Sequence, residues 1–229
     1  MRHGGRWARV SWLAVPAMLL ALALALALAL SPAAVAATLA VTVRDQGGRP
    51  VADAVVTLVA PGDARTSAST THVIDQVNLT FMPYVDVLRP GDSVVFHNSD
   101  GTQHHVYSFS PVKAFEFVVA PGTKSAPLVL DKPGVVAVGC NIHDGMISYL
   151  YVTEASRAAR TDARGRVSFD ALPAGRYDVR VWQPRLPPGR PDLREQAIEL
   201  GATDTRALKF PLTLRPDPRR QFDREHTHY

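Results

Sequence analysis

The middle of the chain is built from short apolar stretches rich in β-branched residues, and Gly and Pro turns separate them. We predict strands here at residues 85–88, 93–97, 105–109, 115–119, 126–130, 135–139 and 147–152. No stretch of useful length carries the 3.6-residue apolar period of a helix. Several short strands at this spacing are typical of a sandwich or barrel, so the predicted fold class is all-β.

The regions on either side have the same texture. Strands are predicted at 38–44 and 54–59, with a Gly-Gly-Arg-Pro turn between them. A turn, a strand, a Pro/Gly corner and an alternating strand are readable within 161–182. Residues 61–70 form a polar linker, and the Pro- and Arg-rich tail at 215–229 is predicted to be disordered.

The N-terminus has the pattern of an export signal. Three arginines and no acids occupy the first nine residues, the run at 10–30 is almost wholly apolar, and small residues fill 31–37. We predict a signal peptide at 1–37, cleaved after Ala36 or Ala37, and a periplasmic mature protein. The apolar run is also long enough to remain as a membrane anchor, and cleavage would leave no membrane span.

Charge and motif content exclude several function classes. Without the first 37 residues, 22 basic and 21 acidic side chains remain, which argues against a nucleic-acid partner. The chain has no Gly-x-Ser-x-Gly elbow and no phosphate-cradling glycine loop. We therefore predict a protein that is not an enzyme, and we expect a monomer.

One cysteine, Cys140, is present, so an internal disulfide is impossible and the thiol needs another explanation. His143 and Met146 follow it at Cys-x-x-His-x-x-Met spacing, and His104 and His105 lie upstream. Two imidazoles, a thiolate and a thioether are the donors of a mononuclear blue-copper site. A zinc site of one cysteine and two histidines is the chemical alternative, but the thioether favours the softer copper.

Residues 81–152 resemble the cupredoxins, most closely the plastocyanin and amicyanin group. The resemblance rests on the strand–turn–strand around Arg89-Pro90-Gly91-Asp92, on Asn98 before the upstream histidines, and on the short Cys-x-x-His-x-x-Met loop. It implies a Greek-key β-sandwich with one type 1 copper, which carries single electrons between redox partner proteins that the sequence does not name.

The resemblance also implies the ligand set His104, Cys140, His143 and Met146. The cupredoxin His-Asn-Val pattern aligns its ligand with His104 and places His105 where the asparagine stands. Successive strand residues face opposite ways, so the two histidines cannot both reach one metal. A register shift of one residue would exchange them, so His105 stays the alternative.

The segments 45–54 and 161–182 together resemble the carboxypeptidase regulatory-like sandwich, whose two parts normally lie close in sequence. About ninety residues separate them here, the size of a small β-sandwich. We therefore predict a cupredoxin domain at 71–154 inserted between the two parts of a second sandwich, at 38–60 and 155–214. Three consecutive pieces are the alternative arrangement.

The whole composite also resembles bacterial exported proteins called methylamine utilization proteins, a label that names a context more than an activity. Electron transfer through one copper is the predicted function. Two alternatives stay open: a copper-binding or copper-delivery module without an electron-transfer partner, and a non-redox, ligand-binding β-sandwich protein.

Overall fold

A computed structural model describes residues 36–60, 68–187 and 194–219 of the chain. The predicted signal peptide lies outside these ranges except for Ala36 and Ala37, as does most of the predicted linker. Within the described ranges no helix is both long enough and apolar enough to cross a membrane.

The described elements are strands, as the sequence predicts. Their bounds are β1 Ala37–Asp45, β2 Val55–Val59, β3 Thr71–Gln76, β4 Phe81–Met82, β5 Val85–Leu88, β6 Asp92–Asn98, β7 His104–Ser110, β8 Lys113–Val119, β9 Leu128–Leu130, β10 Gly134–Cys140, β11 Ile147–Val152, β12 Arg157–Arg160, β13 Arg166–Leu172, β14 Gly175–Trp182, β15 Arg194–Leu200 and β16 Thr205–Leu212.

The middle of the chain forms two sheets, which we call the middle sheets. Their strand orders are β4-β3-β6-β9 and β5-β11-β10-β7-β8. In β6 every second residue is buried, because one face of the strand packs inward and the other does not. Between the two sheets lies an apolar core that contains Phe81, Phe96 and Leu150, together with Cys140 and Met146. Two of the predicted metal ligands, Cys140 and Met146, therefore belong to this packed core.

The first and last parts of the chain form two further sheets, which we call the terminal sheets. Their strand orders are β13-β1-β16 and β12-β2-β14-β15, so each one combines strands from before and after the middle sheets. They share a second core that includes Leu39, Leu58, Val179 and Phe210. The exact domain boundaries stay a prediction, but the strand pairing shows that β1 and β2 fold together with β12 to β16.

Aromatic side chains join the terminal sheets to the middle sheets. The Trp182 ring of β14 lies 5.0 Å from the Tyr151 ring and 6.0 Å from the Tyr149 ring, both on β11. Tyr149 in turn packs edge-on against Tyr84, at 5.6 Å between ring centroids. Trp182 therefore packs beyond its own sandwich and against the neighbouring one.

Residues 215–219, the start of the tail that was predicted to be disordered, make defined contacts with the rest of the chain. The Arg215 N–H donates to the Arg185 carbonyl at 2.9 Å. The Arg219 guanidinium lies 3.6 Å above the centre of the Tyr84 ring and pairs with Asp217 at 2.7 Å. Residues 220–229, the rest of that prediction, lie outside the described ranges.

Candidate metal centre

Two neighbouring strands bring the first donors together. β7 begins at His104, β10 ends at Cys140, and Cys140 pairs with Val106 in the antiparallel ladder. Paired residues point to the same side of a sheet, as do residues two apart in one strand. His104 and Cys140 therefore both face the core, where their exposed fractions are 0% and 7%.

His143 completes a cluster of three donors. Its Nδ1 lies 3.1 Å from Nδ1 of His104 and 3.7 Å from Sγ of Cys140. The Cys140 sulfur lies 3.8 Å from Nδ1 of His104. Within the described part of the chain, this is the group of three such side chains whose donor atoms all lie within 4.8 Å of one another.

The short loop after β10 sets the position of His143. The Cys140 N–H donates to the Met146 carbonyl at 3.3 Å, and the Met146 N–H donates to the His143 carbonyl at 3.4 Å. Gly145 has a φ of 84°, a left-handed conformation that glycine adopts without steric cost. Met146 is buried in the same core as Cys140. The loop thus folds back so that Met146 lies against Cys140.

His143 is the half-buried member of the cluster, beside the exposed side chain of Ile142. Burial lowers the pKa of His143, and the neighbouring His104 lowers it further, while Asp100 acts in the opposite direction. A lowered pKa keeps the imidazole neutral near pH 7, which is the form that binds metals.

Asp100, which sequence reasoning missed, supports the buried face of the cluster. Its Oδ2 lies 2.9 Å from Nε2 of His104, and its side chain is 12% exposed. A carboxylate accepts hydrogen bonds, so this Nε2 carries the proton and Nδ1 keeps a lone pair. The Nδ1 of His104 therefore presents a free lone pair to Cys140 and His143.

His105 points away from the cluster, as the strand alternation predicts. Its Nε2 lies 2.8 Å from Oε1 of Glu116, and its Nδ1 lies 3.4 Å from the side-chain amide of Asn141. Of the two upstream histidines, the structure brings His104 to Cys140 and His143.

A second group of polar side chains, Asp75, His97 and Ser99, has the composition of a hydrolase triad. Asp75 lies 3.0 Å from Nδ1 of His97, and the Ser99 hydroxyl lies 3.1 Å from that same nitrogen. A Ser-His-Asp relay needs the serine at Nε2 and the carboxylate at Nδ1. The group is therefore a hydrogen-bonded surface cluster, and the described residues offer no such relay here.

Comparisons with known proteins show similarity to copper proteins of solved structure over part of the chain. A Cu-containing nitrite reductase from Thermus scotoductus matches at 22% identity and a TM-score of 0.35, over 42% of this chain and 25% of its own. Amicyanin from Paracoccus versutus matches at 16% identity and a TM-score of 0.34, over 43% of this chain and 97% of its own.

A reduced Cu(I) form of an amicyanin variant at pH 4 matches at 17% identity and a TM-score of 0.34. The match covers 43% of this chain and 98% of the amicyanin chain. No protein-family model and no curated protein matches the chain. Likeness at these scores is too low to assign a function, so the functional proposal rests on the site.

Proposed function

We propose that the chain binds one copper ion through His104, Cys140 and His143, with Met146 as a weak axial donor, and that it carries single electrons in the periplasm. The observation that carries the proposal is the convergence of two imidazole nitrogens on one buried cysteine sulfur. A signal-peptide-like N-terminus supports the periplasmic location, because it predicts export of the chain.

The spacing of the donor atoms suits a metal. Metal–nitrogen and metal–sulfur bonds of about 2.0–2.3 Å, at near-tetrahedral to trigonal angles, separate ligand atoms by roughly 3.3–3.8 Å. The three distances in the cluster run from 3.1 to 3.8 Å. Little rearrangement of these side chains is therefore needed to hold an ion.

The donor set favours copper over zinc. A His₂Cys plane with a long axial methionine is the blue-copper pattern, whereas closed zinc sites take four N, S or O ligands at full bond strength. Met146 supplies the thioether from the buried side of the loop. Its sulfur is a soft donor, which suits Cu(I).

The surrounding residues support electron transfer by holding the ligands still. Bound copper would supply the one-electron exchange between Cu(I) and Cu(II). Asp100 orients His104, the strand pairing fixes Cys140, and the loop hydrogen bonds fix His143. A site with little freedom to rearrange suits both oxidation states. A redox partner would dock at the half-buried His143 beside Ile142, through a small transient interface.

Titration of the purified apoprotein with Cu(II) tests the proposal. We expect one equivalent to give an intense blue thiolate-to-copper band with a type 1 spin-resonance spectrum. The band should vanish in Cys140→Ala and persist in His105→Ala, because the His105 side chain faces Glu116 instead. A colourless copper form together with stoichiometric zinc binding would overturn the proposal.

A further inference from the structure

The Asp100 carboxylate contacts two parts of the molecule at once. On one side its Oδ2 receives the His104 Nε2–H at 2.9 Å. On the other side the carboxylate accepts two backbone hydrogen bonds, from the Asn78 N–H at 2.6 Å and from the Leu79 N–H at 3.1 Å. The turn from Val77 to Thr80 and the buried histidine thus share one acceptor group.

The turn that Asp100 holds is strained. Asn78 and Leu79 both have a φ of 53°, and leucine rarely adopts this left-handed conformation. Paired hydrogen bonds between Val77 and Thr80 close the turn, and the Leu79 side chain is 42% exposed. The two N–H groups of a turn with positive φ point to one side, where the carboxylate receives them.

We propose that Asp100 is a positioning residue, which fixes the ring orientation and tautomer of His104 and couples the Val77–Thr80 turn to the metal centre. The inference deepens the proposed function and rests on it only for the identity of the metal. A carboxylate behind a ligating histidine raises the basicity of the ligand and is worth about 10–100-fold in metal affinity.

The structure explains why a carboxylate is needed. Oδ1 of Asp100 accepts the Asn78 N–H, and Oδ2 accepts the Leu79 N–H and the Nε2–H of His104. An asparagine in this place has one acceptor oxygen and one NH₂ donor, so either the Asn78 N–H or the pair formed by the Leu79 N–H and His104 loses its acceptor. If the NH₂ faces His104, Nε2 becomes the acceptor and the proton moves to Nδ1, the nitrogen that faces Cys140.

Asp100→Asn tests the inference against Asp144→Asn, which removes an equal charge from an exposed position next to His143. We expect Asp100→Asn to weaken Cu(II) binding, measured by chelator competition, by about 10–100-fold. Asp144→Asn should change it far less. Equal losses in the two variants would show that only the charge matters and would overturn the positioning role.

Two measurements on the unaltered protein keep the test independent of the folding of the variant. Nitrogen NMR of the apoprotein should show His104 protonated at Nε2, and metal addition should slow hydrogen exchange at the Asn78 and Leu79 amides. A proton on Nδ1, or exchange that metal leaves unchanged, would contradict the inference. These measurements also work with zinc, so a failed blue band would count against the proposed function and not against Asp100.

Discussion

A histidine that binds a metal must offer one ring nitrogen without its proton, and for the proposed ligand His104 a carboxylate four residues away meets that need. Asp100 holds the far nitrogen of His104, so the near one is free to face Cys140. The imidazole of His72 is fixed in a similar way, because its two ring nitrogens lie near the carboxylates of Asp86 and Asp92. At the residue scale, carboxylates that are at least partly buried fix the orientation of the histidines.

The side chain of Met146 offers a direct test of the axial role. Met146→Leu keeps nearly the same volume, so we expect a stability cost below about 1.5 kcal/mol. The blue band should remain, and the reduction potential should rise because a lost axial donor disfavours Cu(II). Voltammetry measures the shift, with Met82→Leu as the control because Met82 is exposed. An unchanged potential would assign Met146 to core packing alone.

His72 should make stability depend on pH. Its Nδ1 lies 2.8 Å from Asp86, whose hydrogen bond and charge raise the pKa of His72 above 6.5 despite partial burial; Asp92 adds to the effect. A group with a raised pKa stabilises the folded state fully below the unfolded value of about 6.5. It loses that contribution as pH rises through the folded value.

Denaturant unfolding at a series of pH values measures this effect. We expect the free energy of unfolding to fall above pH 6.5 in the unaltered protein. In His72→Gln that step should be absent, because no titrating group links the two carboxylates. The same step in both proteins would place its origin elsewhere.

The residues that carry the site were only partly predictable from the sequence. Cys140, His143 and Met146 are separated by a fixed short spacing, and strand alternation predicts that only one of His104 and His105 can face the same metal. No spacing or strand pattern in the sequence indicates the role of Asp100. It sits in a Ser-Asp-Gly turn, where an aspartate is ordinary, and its partners are brought together by the pairing of β3 with β6.

At the scale of elements, strands with an apolar period were predictable and polar ones were not. The predicted strands at 85–88 and 147–152 match β5 and β11 residue for residue. β3 escaped prediction because only Ile74 and Gln76 are buried along it. β12, flanked by two arginines, has no alternation at all and exists because it pairs with β2. Tertiary pairing, rather than local preference, forms such strands.

Tight turns between strands also determine the fold, and the turn at Gly165 is the clearest example. Its φ is 70°, and an added Cβ would lie 2.5 Å from the Val43 carbonyl oxygen of β1. The Gly165 carbonyl also accepts the Val43 N–H at 2.8 Å. The turn between β12 and β13 therefore needs a residue without a side chain.

We expect Gly165→Ala to destabilise the protein by about 3 kcal/mol or more, because backbone strain and a backbone clash add. Gly48→Ala is the matched control, since its φ of 75° is similar but no atom lies within 4 Å of the added Cβ. The control should lose only about 1–2 kcal/mol. Equal losses by denaturant unfolding would rule out the clash.

At the scale of the whole described chain, two cores meet through aromatic rings. Trp182 belongs to the terminal sheets by pairing and packs on Tyr149 and Tyr151 of the middle sheets. The core of the terminal sheets accordingly includes Tyr84, Val85 and Tyr151. This contact explains why β11 buries Tyr151, which a free outer face of a sheet would expose.

Trp182→Ala should cost about 3–5 kcal/mol, because it leaves a large cavity at this junction. We also expect calorimetry to resolve two unfolding transitions in the variant where the unaltered protein shows one. Trp182→Phe keeps a ring at the junction and should preserve the single transition. A single transition in both variants would mean that other contacts couple the two cores.

The position of β1 has a consequence for how the protein is assembled. β1 lies between β13 and β16, which come more than 120 residues later in the chain. During synthesis from the N-terminus, neither neighbour of β1 is available at first, while β3 to β11 can already pair among themselves. Closing so long a loop is slow, so the candidate metal centre can form before β1 has either partner strand. Formation of the candidate site and completion of the fold are thus separable in time.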